Sequence, residues 1–164
     1  MSIIECQMGE YCVNNYSMDD GTAGYTLCSI NYEGEDLTSY NVIPNTINDI
    51  PVIRLSTNCY RNKNLTNLTS INNSNENVII PDNLRIIGPT CMYGTPFRFS
   101  NLNNIEIIEA NGLEKCDNIY ILESDKIHTI GSSAISNMKN LLKVYFPNLT
   151  TARASLCLFL QCFM

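Results

Sequence analysis

Positive charge is scarce in this chain. Ten Lys and Arg stand against 16 Asp and Glu, giving a net charge of −6 and a pI near 4.6. A surface of that sign does not neutralise phosphates, so nucleic acid is excluded as a partner. Long apolar runs are missing as well. The longest, Leu156 to Leu160, falls far short of the roughly 18 residues of a membrane-crossing helix, and no membrane span is expected. The start, Met1-Ser2-Ile3-Ile4-Glu5-Cys6-Gln7, has neither a basic n-region nor an apolar h-region. No secretory signal is expected, which places the chain in the cytoplasm or in a virion or surface assembly reached without a classical leader.

Groups that carry chemistry are equally few. The single histidine, His128, shares its repeat column with Arg85, Glu106 and Thr150, an outward polar position, and no partner or orienting group beside it marks a general base. Gly131-Ser132-Ser133-Ala134 lacks the Gly-x-Ser-x-Gly nucleophile elbow and reads as a helix start with a hydroxyl cap. There is no Gly-rich phosphate loop, and Asp19-Asp20-Gly21 lacks the further oxygen ligands of a calcium loop, so it reads as a turn. Among the eight cysteines, Cys157 and Cys162 have four residues between them and Cys6 and Cys12 have five, but no histidine or second close pair completes a zinc site. No catalytic residue, metal or cofactor is expected, and the chain is not read as an enzyme. Most of the thiols are expected to be reduced, acting as small core residues.

What is present is a repeat. Hydrophobic residues make up 45% of the 164 and charged residues 16%, a composition outside the disordered class and of a length that suits one domain. Asn104-Ile105-Glu106-Ile107-Ile108, Lys126-Ile127-His128-Thr129-Ile130 and Asn148-Leu149-Thr150-Thr151-Ala152 return at intervals of 22 residues. The same frame runs back to Ile87, 21 residues before Ile108, and to Leu55, 32 before Ile87. With Leu55, Ile87, Ile108, Ile130 and Ala152 as anchors, the position three before each is Val52, Leu84, Ile105, Ile127 and Leu149, apolar every time. The position five after is Tyr60, Met92, Leu113, Ile135 and Cys157, and the position four after is Cys59, Cys91, Gly112, Ala134 and Leu156. A period in this range marks a solenoid, in which each unit buries its apolar face only against its neighbours.

Each unit is expected to hold a short strand, then a helical or 3₁₀ turn such as Ser132 to Met138, then a second extended segment. Ile119 to Leu122 and Leu141 to Phe146 are examples of the last. Ile-Pro and Phe-Pro steps at Pro44, Pro51, Pro81 and Pro147 are expected to end strands. The longer interval holds Asn72 to Asn77, a polar insertion that belongs in an exposed loop. Residues 1–42 do not follow the repeat. Tyr25 to Tyr32, the turn at Glu33-Gly34 and Leu37 to Ile43 read as a hairpin that caps the stack, with Tyr25, Leu27 and Tyr32 as cap packing.

The residues Ile80-Pro81-Asp82-Asn83-Leu84-Arg85-Ile86-Ile87-Gly88 and Lys126-Ile127-His128-Thr129-Ile130-Gly131-Ser132-Ser133-Ala134-Ile135 closely resemble the BspA-like leucine-rich repeat. The resemblance covers about 43–160. In place of the family's aromatic the chain has Met92, Leu113, Ile135 and Cys157, the Gly after the anchor stands only at Gly88 and Gly131, and Cys116 alone matches the family's cysteine. The fold class expected is mostly β or α/β. The resemblance implies a short right-handed leucine-rich-repeat solenoid of about five coils over 43–164, with parallel sheets, behind the cap at 1–42. It also implies a non-enzymatic interaction or adhesion module that binds a protein or a glycan.

The alternative expectation is a structural subunit of a larger particle, such as a virion component. The stretch Leu156, Leu158, Phe159, Leu160 and Phe163 has no polar cap and would dock the last unit's open face onto another subunit, making a homo- or hetero-oligomer.

Overall fold

The computed structural model describes residues 11–30, 43–59, 77–78, 80–95, 98–99, 102 and 104–153. Its fold is mostly β, and the described residues contain no helix. The strands in chain order are β1 (Tyr11–Ser17), β2 (Ala23–Ile30), β3 (Thr46–Ile47), β4 (Ile50–Leu55), β5 (Asn77–Val78), β6 (Ile86–Ile87), β7 (Arg98–Phe99), β8 (Ile107–Ile108), β9 (Ile121–Glu123), β10 (Thr129–Ile130), β11 (Lys143–Tyr145) and β12 (Thr151–Ala152).

The main sheet runs β1-β2-β4-β6-β8-β10-β12, and from β2 onward every pairing along it is parallel. Its register is the one the apolar period dictates. Leu55 lies opposite Ile87, Ile87 opposite Ile108, Ile108 opposite Ile130, and Ile130 opposite Ala152. The reason is burial. Leu55, Ile87, Ile108 and Ile130 are fully buried, and so are Val52, Leu84, Ile105 and Ile127 three positions earlier. A slip of one residue would turn each anchor to the outer face. Four buried anchors of this size contribute about 2 kcal/mol each through apolar surface removed from water.

Two further parallel pairs repeat at the same intervals. β5 lies beside β7 and β9 beside β11, with Ile121 opposite Lys143 and Glu123 opposite Tyr145. Asn77, assigned to a polar loop in the sequence reading, starts β5; the rest of that insertion, Asn72 to Glu76, lies outside the described residues.

The N-terminal hairpin differs from the expected one. β2 takes its antiparallel partner from the chain before it, β1, through the turn at Asp19-Asp20-Gly21. Asp20 Oδ1 accepts the Thr22 N–H at 2.8 Å, a bond that holds its carboxyl below the usual carboxylate range. The other edge of Tyr25 to Leu27 is filled by β4, with Leu27 opposite Leu55. Both edges are therefore occupied there. Leu37 to Val42 and Tyr32 lie outside the described residues. Leu27 is fully buried and Tyr25 packs against the core, so these two do continue the apolar interior at this end.

The turns after each anchor are not helical either. Thr90, Asn111 and Ser133, three residues past their anchors, have φ of 49°, 58° and 54°, and Gly94, Lys115 and Asn137, seven past, have 66°, 60° and 56°. Alternate N–H groups leave the unit. Asn111, Leu113 and Lys115 donate to the carbonyls of Ser132, Ala134 and Ser136, while Gly112, Glu114 and Cys116 donate back to Glu109, Asn111 and Leu113. An α-helix needs every N–H to turn back four residues, and a 3₁₀-helix needs every one to turn back three. Here half of them are committed to the next unit, which forces the left-handed residues. Ser132 is accordingly the start of a turn, not a helix cap.

Gly88 and Gly131 follow from close approach. A Cβ at Gly88 would stand 2.0 Å from the Leu55 carbonyl oxygen, and one at Gly131 would stand 2.5 Å from the Ala110 nitrogen. Of the prolines, Pro147 stands two residues past the end of β11, whereas Pro51 sits inside β4, paired with Thr46 of β3. It is tolerated at the second residue of the strand because the short β3–β4 hairpin, turning through Asn48 and Asp49 with φ of 49° and 62°, needs no donor there.

Cys28, Cys59, Cys91 and Cys116 are free thiols, and Cys12 is disulfide-bonded. Cys59, Cys91 and Cys116 are core residues. Cys116 donates from Sγ to the Met92 carbonyl at 2.9 Å, and burial pushes its thiol up to about 11. The Cys59 thiol is raised well above its ordinary value, first by its hydrogen bond with Cys91 and then by burial.

Candidate functional site

Repeat alternation brings two strands to the surface with large side chains outward. In β9, Leu122 is 2% exposed while Ile121 is 57% exposed; in β11, Val144 is half-buried and Tyr145 is 58% exposed. That is the period-two pattern of a strand with one face on the core. The outward face carries Ile121, Glu123, Lys143 and Tyr145, with the exposed Tyr120 and Leu142 at its leading edge. The Tyr120 carbonyl accepts the Leu142 N–H at 2.8 Å, which extends the ladder to that edge. Of the five large hydrophobic residues exposed among the described residues, four lie here: Tyr120, Ile121, Leu142 and Tyr145. Scattered exposed apolar residues are ordinary, but a cluster of them makes this face the candidate site.

Charge is built into the same face. Lys143 Nζ pairs with Glu123 Oε1 and stands 6.0 Å from the Tyr145 ring centroid. Beside it a hollow of about 450 Å³ is lined by Asn104, Glu123, Ser124, Asp125, Lys126 and Tyr145. Its floor is rigid. Ser124 is buried, its N–H donates to the Tyr145 carbonyl at 3.1 Å, and its Oγ accepts the Lys126 N–H at 3.1 Å. Asn148 Nδ2 donates to the Asp125 carbonyl at 2.7 Å, and Asn104 Nδ2 reaches Asp82 Oδ1 at 3.4 Å.

His128 lies elsewhere, on the outer side of the main sheet. Its Nε2 is 3.9 Å from Glu106 Oε2, its Nδ1 is 3.0 Å from Thr129 Oγ1, and Glu106 also pairs with Arg85 Nε at 3.4 Å. The column expected to be outward and polar thus pairs Arg85 with Glu106 and sets the His128 ring beside that carboxylate. Arg54 adds a second pair, 2.7 Å from Glu109, with its guanidinium 5.2 Å from the Tyr16 ring. Among the described residues no three His, Cys, Asp or Glu stand close enough to hold a metal ion, and no helix is long and apolar enough to cross a membrane. The proposed docking end, Leu156, Leu158, Phe159, Leu160 and Phe163, lies outside the described residues.

The exposed face was not a site in the sequence reading, which took Ile119 to Leu122 and Leu141 to Phe146 only as second extended segments. The available signal was the run Leu141-Leu142-Lys143-Val144-Tyr145-Phe146, which has apolar residues on both faces of a strand whose other side must already meet the core. No protein-family model matches the chain, no curated protein matches its sequence, and no solved structure matches its fold.

Proposed function

We propose that this chain is a non-enzymatic recognition module, a short solenoid of the BspA-like leucine-rich-repeat kind, which binds a protein or glycan partner through the outward face of β9 and β11. The observation that carries this reading is the exposure of Ile121 and Tyr145 on that face and of Tyr120 and Leu142 at its leading edge, at 57%, 58%, 40% and 78%. Large apolar and aromatic side chains held outward by a backbone ladder are rigid anchors, and such residues dominate interface energetics. The parallel ladders at 21- and 22-residue intervals support the solenoid reading, since stacked units of this size present extended surfaces. The test presents the purified full chain to arrays of extracellular-type proteins and glycans. Saturable binding that is lost in Leu142→Asp and Tyr145→Ala, each checked for an unchanged fold, is the expected result. Binding that ignores both substitutions, or no binding on any array, would overturn the reading.

A further inference from the structure

The hollow beside β11 differs in chemistry from the apolar edge next to it. Its lining holds two carboxylates, Glu123 and Asp125, and one ammonium, Lys126, while Glu123 is already paired with Lys143. Counting that partner, two negative groups meet two positive ones. A strongly charged ligand gains nothing net from such a set, whereas a neutral ligand rich in hydroxyls finds acceptors and donors together. Asn104 adds a carbonyl oxygen and the N–H left over from its bond to Asp82, and Ser124 adds a hydroxyl fixed by its bond to the Lys126 N–H. The backbone that carries these groups is held by the Ser124 to Tyr145 and Asn148 to Asp125 hydrogen bonds, which fixes where the side chains start.

Tyr145 supplies the other half of the site. Its ring is more than half exposed at the wall of the hollow, an apolar surface beside carboxylates and an amide. A pyranose has the matching two-sided character: one face of axial and ring C–H groups that packs on an aromatic ring, and a rim of equatorial hydroxyls that both donate and accept. At about 450 Å³ the hollow falls within the range of small-molecule sites, about 300–1,000 Å³, with room for a sugar ring and part of a second.

We infer that the hollow lined by Asn104, Glu123, Ser124, Asp125, Lys126 and Tyr145 is a subsite for a neutral pyranose, the ring packed on Tyr145 and its hydroxyls held by the carboxylates and the amide. This rests on the reading of the β9–β11 face as a recognition surface and narrows its partner to a neutral glycan.

The experiment titrates isotope-labelled full chain with methyl α-D-mannopyranoside, methyl β-D-galactopyranoside, methyl β-D-glucopyranoside and N-acetylglucosamine, and with glucosamine and N-acetylneuraminic acid as charged probes, following backbone amide resonances. At least one neutral probe should give saturable shifts confined to residues 123–126, 145 and Asn104. Tyr145→Ala should weaken that binding by about tenfold or more, the loss of one aromatic contact, Tyr145→Phe should keep it within about threefold, and His128→Ala, remote on the main sheet, should leave it unchanged. Absence of shifts with every neutral probe, shifts centred elsewhere, insensitivity to Tyr145→Ala, or preference for a charged probe would each overturn the inference. If no sugar binds while a protein partner is captured and lost with Leu142→Asp, the subsite is wrong and the recognition face stands; if neither binds, both fall.

Discussion

Two ladders in this molecule repeat at the same interval and end up in opposite environments. Along the main sheet, Leu55, Ile87, Ile108 and Ile130 face inward and none is exposed. Along β9 and β11, Ile121 and Tyr145 are of comparable size and apolarity but face outward at 57% and 58%. Both sets sit on parallel strands joined by the same kind of hydrogen bonds. The backbone repeat therefore fixes where side chains stand and not what becomes of them. In the main sheet the apolar ladder is consumed by folding, and on the second pair a surplus of apolar surface is left exposed.

The comparison can be broken most severely from the inside. Ile108→Ala removes a fully buried anchor flanked by Ile87 and Ile130 and should cost about 3 kcal/mol of stability in urea unfolding. Gly88→Ala should come next, at about 2 kcal/mol in the same measurement, because its Cβ meets the Leu55 carbonyl oxygen at 2.0 Å and the two units must part.

A smaller effect belongs to the clasp between units at Asp117, whose Oδ1 accepts the Lys139 N–H at 3.0 Å while Oδ2 pairs with Lys139 Nζ at 3.0 Å. The Lys139 N–H, chiefly, holds this carboxyl below its ordinary value of 3.8. A depressed folded value means that the stabilisation is present above 3.8 and fades as pH falls through the folded value. Asp117→Asn should thus lower the urea midpoint near neutrality, and the gap to the unaltered chain should close in strong acid. Smallest of all is Leu142→Ser on the open ladder. It should shift stability by no more than about 0.5 kcal/mol while reducing partner binding, and a loss as large as that of Ile108→Ala would erase the distinction between the ladders.

The sequence made the first ladder legible because burial enforces it at four of its five anchors: all five taken from the apolar period are the residues the sheet pairs, and only Ala152, on the last strand, is exposed. The hairpin partner was harder, because Asp19-Asp20-Gly21 and Glu33-Gly34 are both turn signals and local chemistry does not rank them. The expectation of a helical or 3₁₀ turn arises because Thr90 and Lys115 carry no preference for the left-handed region they occupy; Asn58, Asn111 and Asn137, with Gly94, hint at it. The candidate site was invisible for a related reason. An outward Ile121 and an inward Leu122 are the same kind of letter, and only the position of the core tells them apart.

The alternation of N–H groups in the turns has a consequence for how the chain acquires its structure. Since Asn111, Leu113 and Lys115 close their bonds only on the carbonyls of Ser132, Ala134 and Ser136, a turn is incomplete until its successor arrives. Order should spread by zipping between neighbours about 21 residues apart. Hydrogen exchange would record this as a comb within each turn, every second amide reporting the opening of the neighbouring unit and not of its own.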